Sequence, residues 1–113
     1  MRILSITAQK PSSTGSGVYL TELVKCFEHM GEQQAVVAGV YREDQVELPP
    51  KVAFYPVYFE TEKLPWPIAG MSDEMPYRST RYCDMTEEMA REFQEAFLEV
   101  ISQAVEELDP DLI

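Results

Sequence analysis

The chain has 113 residues, enough for one domain with a real core and too few for two. Hydrophobic residues make up 45%, which excludes a disordered chain, and the net charge of −11 argues against nucleic acid and anionic membrane surfaces as partners. That acidity names no partner by itself; it promises solubility.

Arg2 to Thr7 (RILSIT) is a short apolar run rich in β-branched residues and suits a central strand. A loop with four Ser/Thr hydroxyls and two glycines follows, PSSTGSG from Pro11 to Gly17. Leu20, Leu23, Val24 and Phe27 then recur at helical spacing, with Thr14 or Ser16 as N-cap and Gly31 as the stop. This predicts a helix over about 16–30. Gln34 to Val40 (QAVVAGV) is the next strand, and Lys51 to Phe59 (KVAFYPVYF) the third. Pro56 cannot donate to a ladder, so the third strand belongs at a sheet edge.

Residues 60–85 carry Pro65, Pro67, Gly70 and Pro76 without a clean period, and read as a long functional or mobile loop. After it, Met89, Phe93, Ala96, Phe97, Val100, Ile101, Ala104, Val105 and Leu108 step by three and four. They predict one helix over 86–108, about 34 Å long, capped by Asp84 or Thr86. Glu87 and Glu88 suit its positive end, and its charged opposite face reads as solvated. Asp109-Pro110 ends that helix, and Asp111 to Ile113 reads as a strand just beginning, so the chain reads as the front part of something longer. Strands interleaved with helices predict an α/β fold with a mainly parallel sheet.

Cys26 and Cys83 fit no metal or redox spacing and read as two ordinary thiols in a reducing compartment. No apolar run approaches the roughly 18 residues of a membrane span, and the first ten residues are too short in their apolar part for a signal peptide. The expected location is cytoplasmic. No cluster of residues with metal-ligand spacing is present, and no metal or cofactor is expected.

The loop TGSGVYL (Thr14 to Leu20) fails the P-loop pattern, because Gly17 is followed by Val18 and Tyr19 rather than by Lys and a hydroxyl. The dinucleotide fingerprint matches twice and then meets Leu20, where helix and sheet need close contact; no acid closes the second strand either. A receiver domain would place paired acids after its first strand, and ILSIT offers none. General physics remains: the first helical turn leaves N–H groups unpaired, and Gly15 and Gly17 would let an anion reach them. The alternative is that the glycines only permit a turn and Ser16 caps the helix. A second constellation, MSDEMPYRSTRYCD from Met71 to Asp84, gathers Ser72, Asp73, Arg78 and Arg81 among tyrosines. Such guanidinium groups suit phosphate or sugar recognition, or else pair with surface carboxylates.

These residues carry a likeness. Ile3 to Thr7, Gly15 to Gly17, Tyr19, Glu22-Leu23, His29 to Gly31 and Ala35 to Gly39 resemble the opening of the group 1 (family 4-like) retaining glycosyltransferases, enzymes with two Rossmann-like domains facing across a cleft. MSDEMPYRSTRY and EELDPDLI resemble later stretches of the same domain, so the likeness spans nearly the whole chain. It implies a Rossmann-like three-layer α/β/α domain, strand order 3-2-1-4, truncated after the start of the fourth strand. Residues 1–113 would be the incomplete N-terminal, acceptor-side domain, with the C-terminal donor domain and the catalytic residues absent. The parent reaction would be transfer of a hexose from a nucleotide sugar to an acceptor, and the piece alone would be inactive. Gly15, Ser16 and Gly17 would face the donor diphosphate; Ser72, Asp73, Arg78 and Arg81 would be acceptor-side residues. Apolar surface meant for later strands would promote self-association. The other reading is a stand-alone acidic α/β protein-interaction module without catalysis.

Overall fold

The computed structural model describes residues 1–113. Strand β1 (Arg2–Thr7) is followed by helix α1 (Gly15–His29), strands β2 (Gln33–Val40) and β3 (Ala53–Tyr58), the two-residue strands β4 (Ala69–Gly70) and β5 (Thr80–Arg81), and helix α2 (Glu87–Leu108). The fold is mixed α/β around a three-stranded sheet of order β1-β2-β3, in which β1 pairs with β2 and β2 with β3, both parallel.

β2 is central: beyond the exposed Gln33, Gln34 to Val40 are all buried, and from Ala35 onward no residue has a polar side chain. Its pleat sends alternate residues into separate clusters. Val36 and Ala38 pack with Leu20 and Val24 of α1, while Ala35 and Val37 pack with Ala96, Phe97 and Ala104 of α2. β3 lies at the edge, as Pro56 requires. Phe59 N–H donates to Val40 O, so the ladder's alternation turns the position of the missing Pro56 N–H away from β2.

The helix ends follow their local chemistry. Gly31, at φ +80°, closes α1: its N–H reaches Glu28 O, and Glu32 N–H reaches Phe27 O, the Schellman arrangement. Thr86 caps α2 by accepting from Met89 N–H at 3.1 Å, and Asp109, left-handed at φ 51°, ends it before Pro110. Of the α2 stripe, Ala96, Phe97 and Ala104 are buried, the other named residues are half-buried, and Val105 is exposed.

Residues 60–85 are not the structureless loop that their composition suggests. Leu64, Trp66, Ile68 and Ala69 are core residues. Trp66 meets Phe59 edge-on at 5.2 Å and stacks near Phe93, which lies 4.6 Å from Phe97. β4 pairs in parallel with β5, and Thr80 N–H donates to Ile68 O. Leu64, Trp66 and Ile68 do step by two, but the prolines between them cannot donate to a ladder, so the alternation does not read as a strand.

At the chain's end, Leu112 forms a parallel bridge with Ile3: Leu4 N–H donates to Leu112 O at 2.9 Å. No helix is long and apolar enough to cross a membrane. Cys26 and Cys83 are exposed free thiols.

Candidate functional site

The loop between β1 and α1 lies at the carboxyl end of β1, next to the carboxyl end of β2. Gly39 makes that crossing possible, because a β-carbon there would stand 2.6 Å from Ala8 O and 2.9 Å from the Phe59 ring. Gln9 N–H donates to Thr7 Oγ1 at 3.1 Å. Lys10 then turns inward: its Nζ bonds Asp44 at 2.8 Å and stands 4.8 Å from the centroids of both the Tyr41 and Tyr77 rings. Ser12 adopts the left-handed conformation at φ 63°, and its hydroxyl lies 2.8 Å from that of Thr21. Ser13 Oγ donates to Lys10 O at 2.8 Å, which closes the loop on itself.

Thr14, not Ser16, caps α1. Its Oγ1 accepts from Gly17 N–H at 3.2 Å, and its carbonyl accepts from Val18 N–H at 2.8 Å. The amides of Gly15 and Ser16 are left without an intramolecular acceptor, and both residues are exposed. Gly17 is buried and faces the protein, because Lys10 O occupies the place its β-carbon would take. The hydroxyls of Thr14 and Ser16 both donate to Gln9 Oε1, at 2.8 and 3.1 Å. Gln9 is 6% exposed, so a nearly buried carboxamide organises the entrance to the helix.

The second constellation divides. Arg78 pairs with Glu60, and its guanidinium lies 5.0 Å from the centroid of the Tyr41 ring. Its carbonyl accepts from the Tyr41 hydroxyl, which also accepts from Ile68 N–H at 3.1 Å. Arg81 bonds Asp84 at 2.8 Å and approaches Asp73 at 3.6 Å. Hydrogen bonds and charge from Glu60 and Asp84 raise the Arg78 and Arg81 guanidinium groups above their ordinary pKa, and the hydrogen bond from Arg81 in turn holds Asp84 below its own. Both arginines are therefore engaged by carboxylates of the chain. Ser72 is exposed and accepts from Glu74 N–H at 3.4 Å.

Tyr77 joins the two constellations, since its ring lies beside Lys10. Burial pushes the Tyr41 and Tyr77 phenols up, so both stay protonated near neutrality. Gln9, Lys10, Tyr41 and Asp44 were not singled out from sequence. Their signal was only positional: Gln9 and Lys10 leave the first strand, and Tyr41 leaves the second. An open groove of about 750 Å³ lies elsewhere, between β3 and α2, with Arg42, Tyr58, Lys63 and Glu99 on its walls. None of the expected site residues lines it. No group of three or more His, Cys, Asp or Glu side chains comes together to hold a metal ion.

No protein-family model matches the chain, and no curated protein matches it.

Proposed function

We propose that these residues form the N-terminal, acceptor-side part of a retaining two-domain glycosyltransferase, which moves a hexose from a nucleotide sugar to an acceptor. In this reading the fold is a Rossmann-like three-layer α/β/α domain of strand order 3-2-1-4, with Leu112 opening the fourth strand beside β1. The observation that carries it is the pair of open amides at Gly15 and Ser16, at the carboxyl end of the first strand of a parallel sheet. Ligands of open α/β sheets gather at that end, and a helix entrance stabilises negative charge. Donor amides there would stabilise the diphosphate as the glycosidic bond breaks.

Ser72, Asp73, Arg78 and Arg81 are the acceptor side of the proposal. Because both arginines are already paired, they would orient hydroxyl groups of a sugar rather than offer free charge. The test is a transfer assay on the intact two-domain polypeptide with labelled nucleotide hexoses. Product with the donor's anomeric configuration is expected. Inversion, or no hexose transfer from any nucleotide donor, overturns the proposal.

A second reading, an acidic interaction module without catalysis, is favoured by Leu98, which is 64% exposed on the acidic helix α2. It predicts a protein partner that Leu98→Glu releases.

A further inference from the structure

We infer that the pocket at the amino end of the sheet, between the closing turns of α1 and α2, binds a small organic cation with primary ammonium groups, an alkyl diamine by class. The inference stands apart from the glycosyl-transfer reading, because this pocket lies at the opposite end of the strands from the glycine loop.

The pocket is open, about 530 Å³ in volume, and within the size range of small-molecule sites. Gln33 and Gln34 open β2 there, Ala53 opens β3, and Glu28 and Glu107 stand in the last turns of the two helices. A helix ends with partial negative charge, where a cation is favourable and a carboxylate is not. α2 nevertheless has no basic residue in its last turn and carries Glu106 and Glu107 instead. Two negative helix ends and the carboxylates of Glu28, Glu32 and Glu107 thus meet at one opening. Folding gains nothing from that gathering, whereas a bound cation would be stabilised by it.

The three carboxylates are not equally free. Glu32 is paired with the α-ammonium group of Met1. Glu107 accepts from the Tyr55 hydroxyl and, at 3.3 Å, from Gln103 Nε2; these bonds hold its carboxyl below the usual range, so it is ionised at neutral pH. Glu28 is half-buried and is bonded to no other group of the chain. Lys51 is the one cation lining the pocket, and it pairs with none of the three.

The independent sign of a ligand is Gln34. It is 4% exposed, and its Nε2 donates to Val24 O at 2.9 Å, which ties one end of the carboxamide to α1. The other end, Oε1, is buried and accepts from nothing. A buried acceptor without a donor is rare and costly. In a residue that lines the pocket, it calls for an N–H arriving from there. An ammonium group supplies three donors and the positive charge that the helix ends favour. A metal ion does not suit the same place, since the carboxylates form no metal-holding group. Two ammonium groups on one alkyl chain can instead meet carboxylates that stand apart, Glu28 and Glu107, while one of them also donates to Gln34 Oε1.

The test is an NMR titration of the chain with putrescine and, in parallel, with tetramethylammonium and magnesium chlorides at matched ionic strength. Putrescine at millimolar concentration should move the backbone amides of Glu28 and Glu107 and the side-chain NH₂ of Gln34 together. Tetramethylammonium has the charge but no N–H, and should bind at least about tenfold more weakly. Glu28→Gln disturbs no existing bond and should weaken putrescine binding about tenfold; Lys51→Met removes the opposing charge and should tighten it. Glu28→Gln should also leave the unliganded chain no less stable, since it takes a carboxylate from the negative end of a helix. Signals at 28, 34 and 107 that stay still with putrescine overturn the inference, as does Glu28→Gln binding like the parent. Equal responses to all three cations would be diffuse attraction by an acidic surface, and overturn it too. Neither result touches the glycosyl-transfer reading.

Discussion

A β-carbon on Gly17 would stand 2.3 Å from the carbonyl oxygen of Lys10, so the start of α1 and the loop leaving β1 touch backbone to backbone. Lys10 O cannot simply rotate away, because it also accepts from Ser13 Oγ at 2.8 Å. Gly17→Ala should therefore destabilise the chain by about 1–3 kcal/mol, as overpacking does. Gly15→Ala, two residues earlier, should be neutral or stabilising by up to about 1 kcal/mol, because no atom opposes it and the unfolded chain loses freedom. Urea denaturation of both variants decides the matter; equal midpoints would mean that the loop does not press on Gly17.

The pair Lys10–Asp44 ties that loop to the end of β2. Their side chains are 17% and 21% exposed, and Asp44 also accepts from Tyr41 N–H at 2.8 Å. Lys10→Met should cost about 1–2 kcal/mol, between the values of exposed and fully buried pairs. A double-mutant cycle with Asp44→Asn should give a coupling of about 0.5 kcal/mol or more. Additive losses would show that the Tyr41 and Tyr77 rings, not the carboxylate, hold the ammonium group.

Trp66 is the chain's single tryptophan and is 8% exposed, so its fluorescence reports on the core built by residues 60–70. Emission should be blue-shifted in the folded chain and move to the red on unfolding. Phe59→Ala removes the ring that meets Trp66 edge-on and should cost about 3–5 kcal/mol. Water-like emission from the folded chain would contradict the anchoring of this segment.

Asp111 fastens the chain's end to β1. Its carboxylate accepts from Arg2 N–H at 2.8 Å and from the Arg2 guanidinium at 3.3 Å, and these bonds, the backbone one foremost, hold its pKa below the usual range. A carboxyl group lowered by folding contributes fully above its unfolded pKa, and the contribution disappears as the pH falls through the folded value. The Leu4–Leu112 hydrogen bond should thus persist at neutral pH and loosen only on acidification past the ordinary Asp range. The chemical shift of the Leu4 amide across an acid titration follows it. Asp111→Asn should flatten that acid transition; a transition of unchanged size would assign it to another carboxylate.

The elements legible from residue order are those whose signal is local. β1, β2 and both helices lie within about two residues of the predicted bounds, because periodicity and caps are written into neighbouring residues. Pro56 correctly marked an edge, since a missing N–H is a property of one residue. The third strand is shorter than Lys51 to Phe59, as Val52 N–H turns back to Pro49 O before the ladder begins.

The glycine loop was visible as an amide-rich helix entrance, but its division of labour was not. Thr14 and Ser16 were equal candidates for the cap until the loop's path placed Thr14 Oγ1 on Gly17 N–H. Arg78 and Arg81 read in sequence either as ligand-binding or as paired with surface carboxylates; Asp84 stands three residues from Arg81, whereas only folding brings Glu60 to Arg78. The Arg78–Glu60 pair joins residues 18 positions apart, which no local pattern encodes.

By itself, the order of residues determined an acidic α/β chain with a parallel sheet, two amphipathic helices and bare amides at the first helix entrance. Those are consequences of side-chain period, capping chemistry and the absence of β-carbons, all short-range. The tertiary structure decided that Gly17 serves the protein and Gly15 faces outward, that Gln9 gathers the loop's hydroxyls, and that Trp66 belongs to the core. Each of these depends on which backbone atom arrives from a distant or folded-back segment, and only packing in three dimensions sets that.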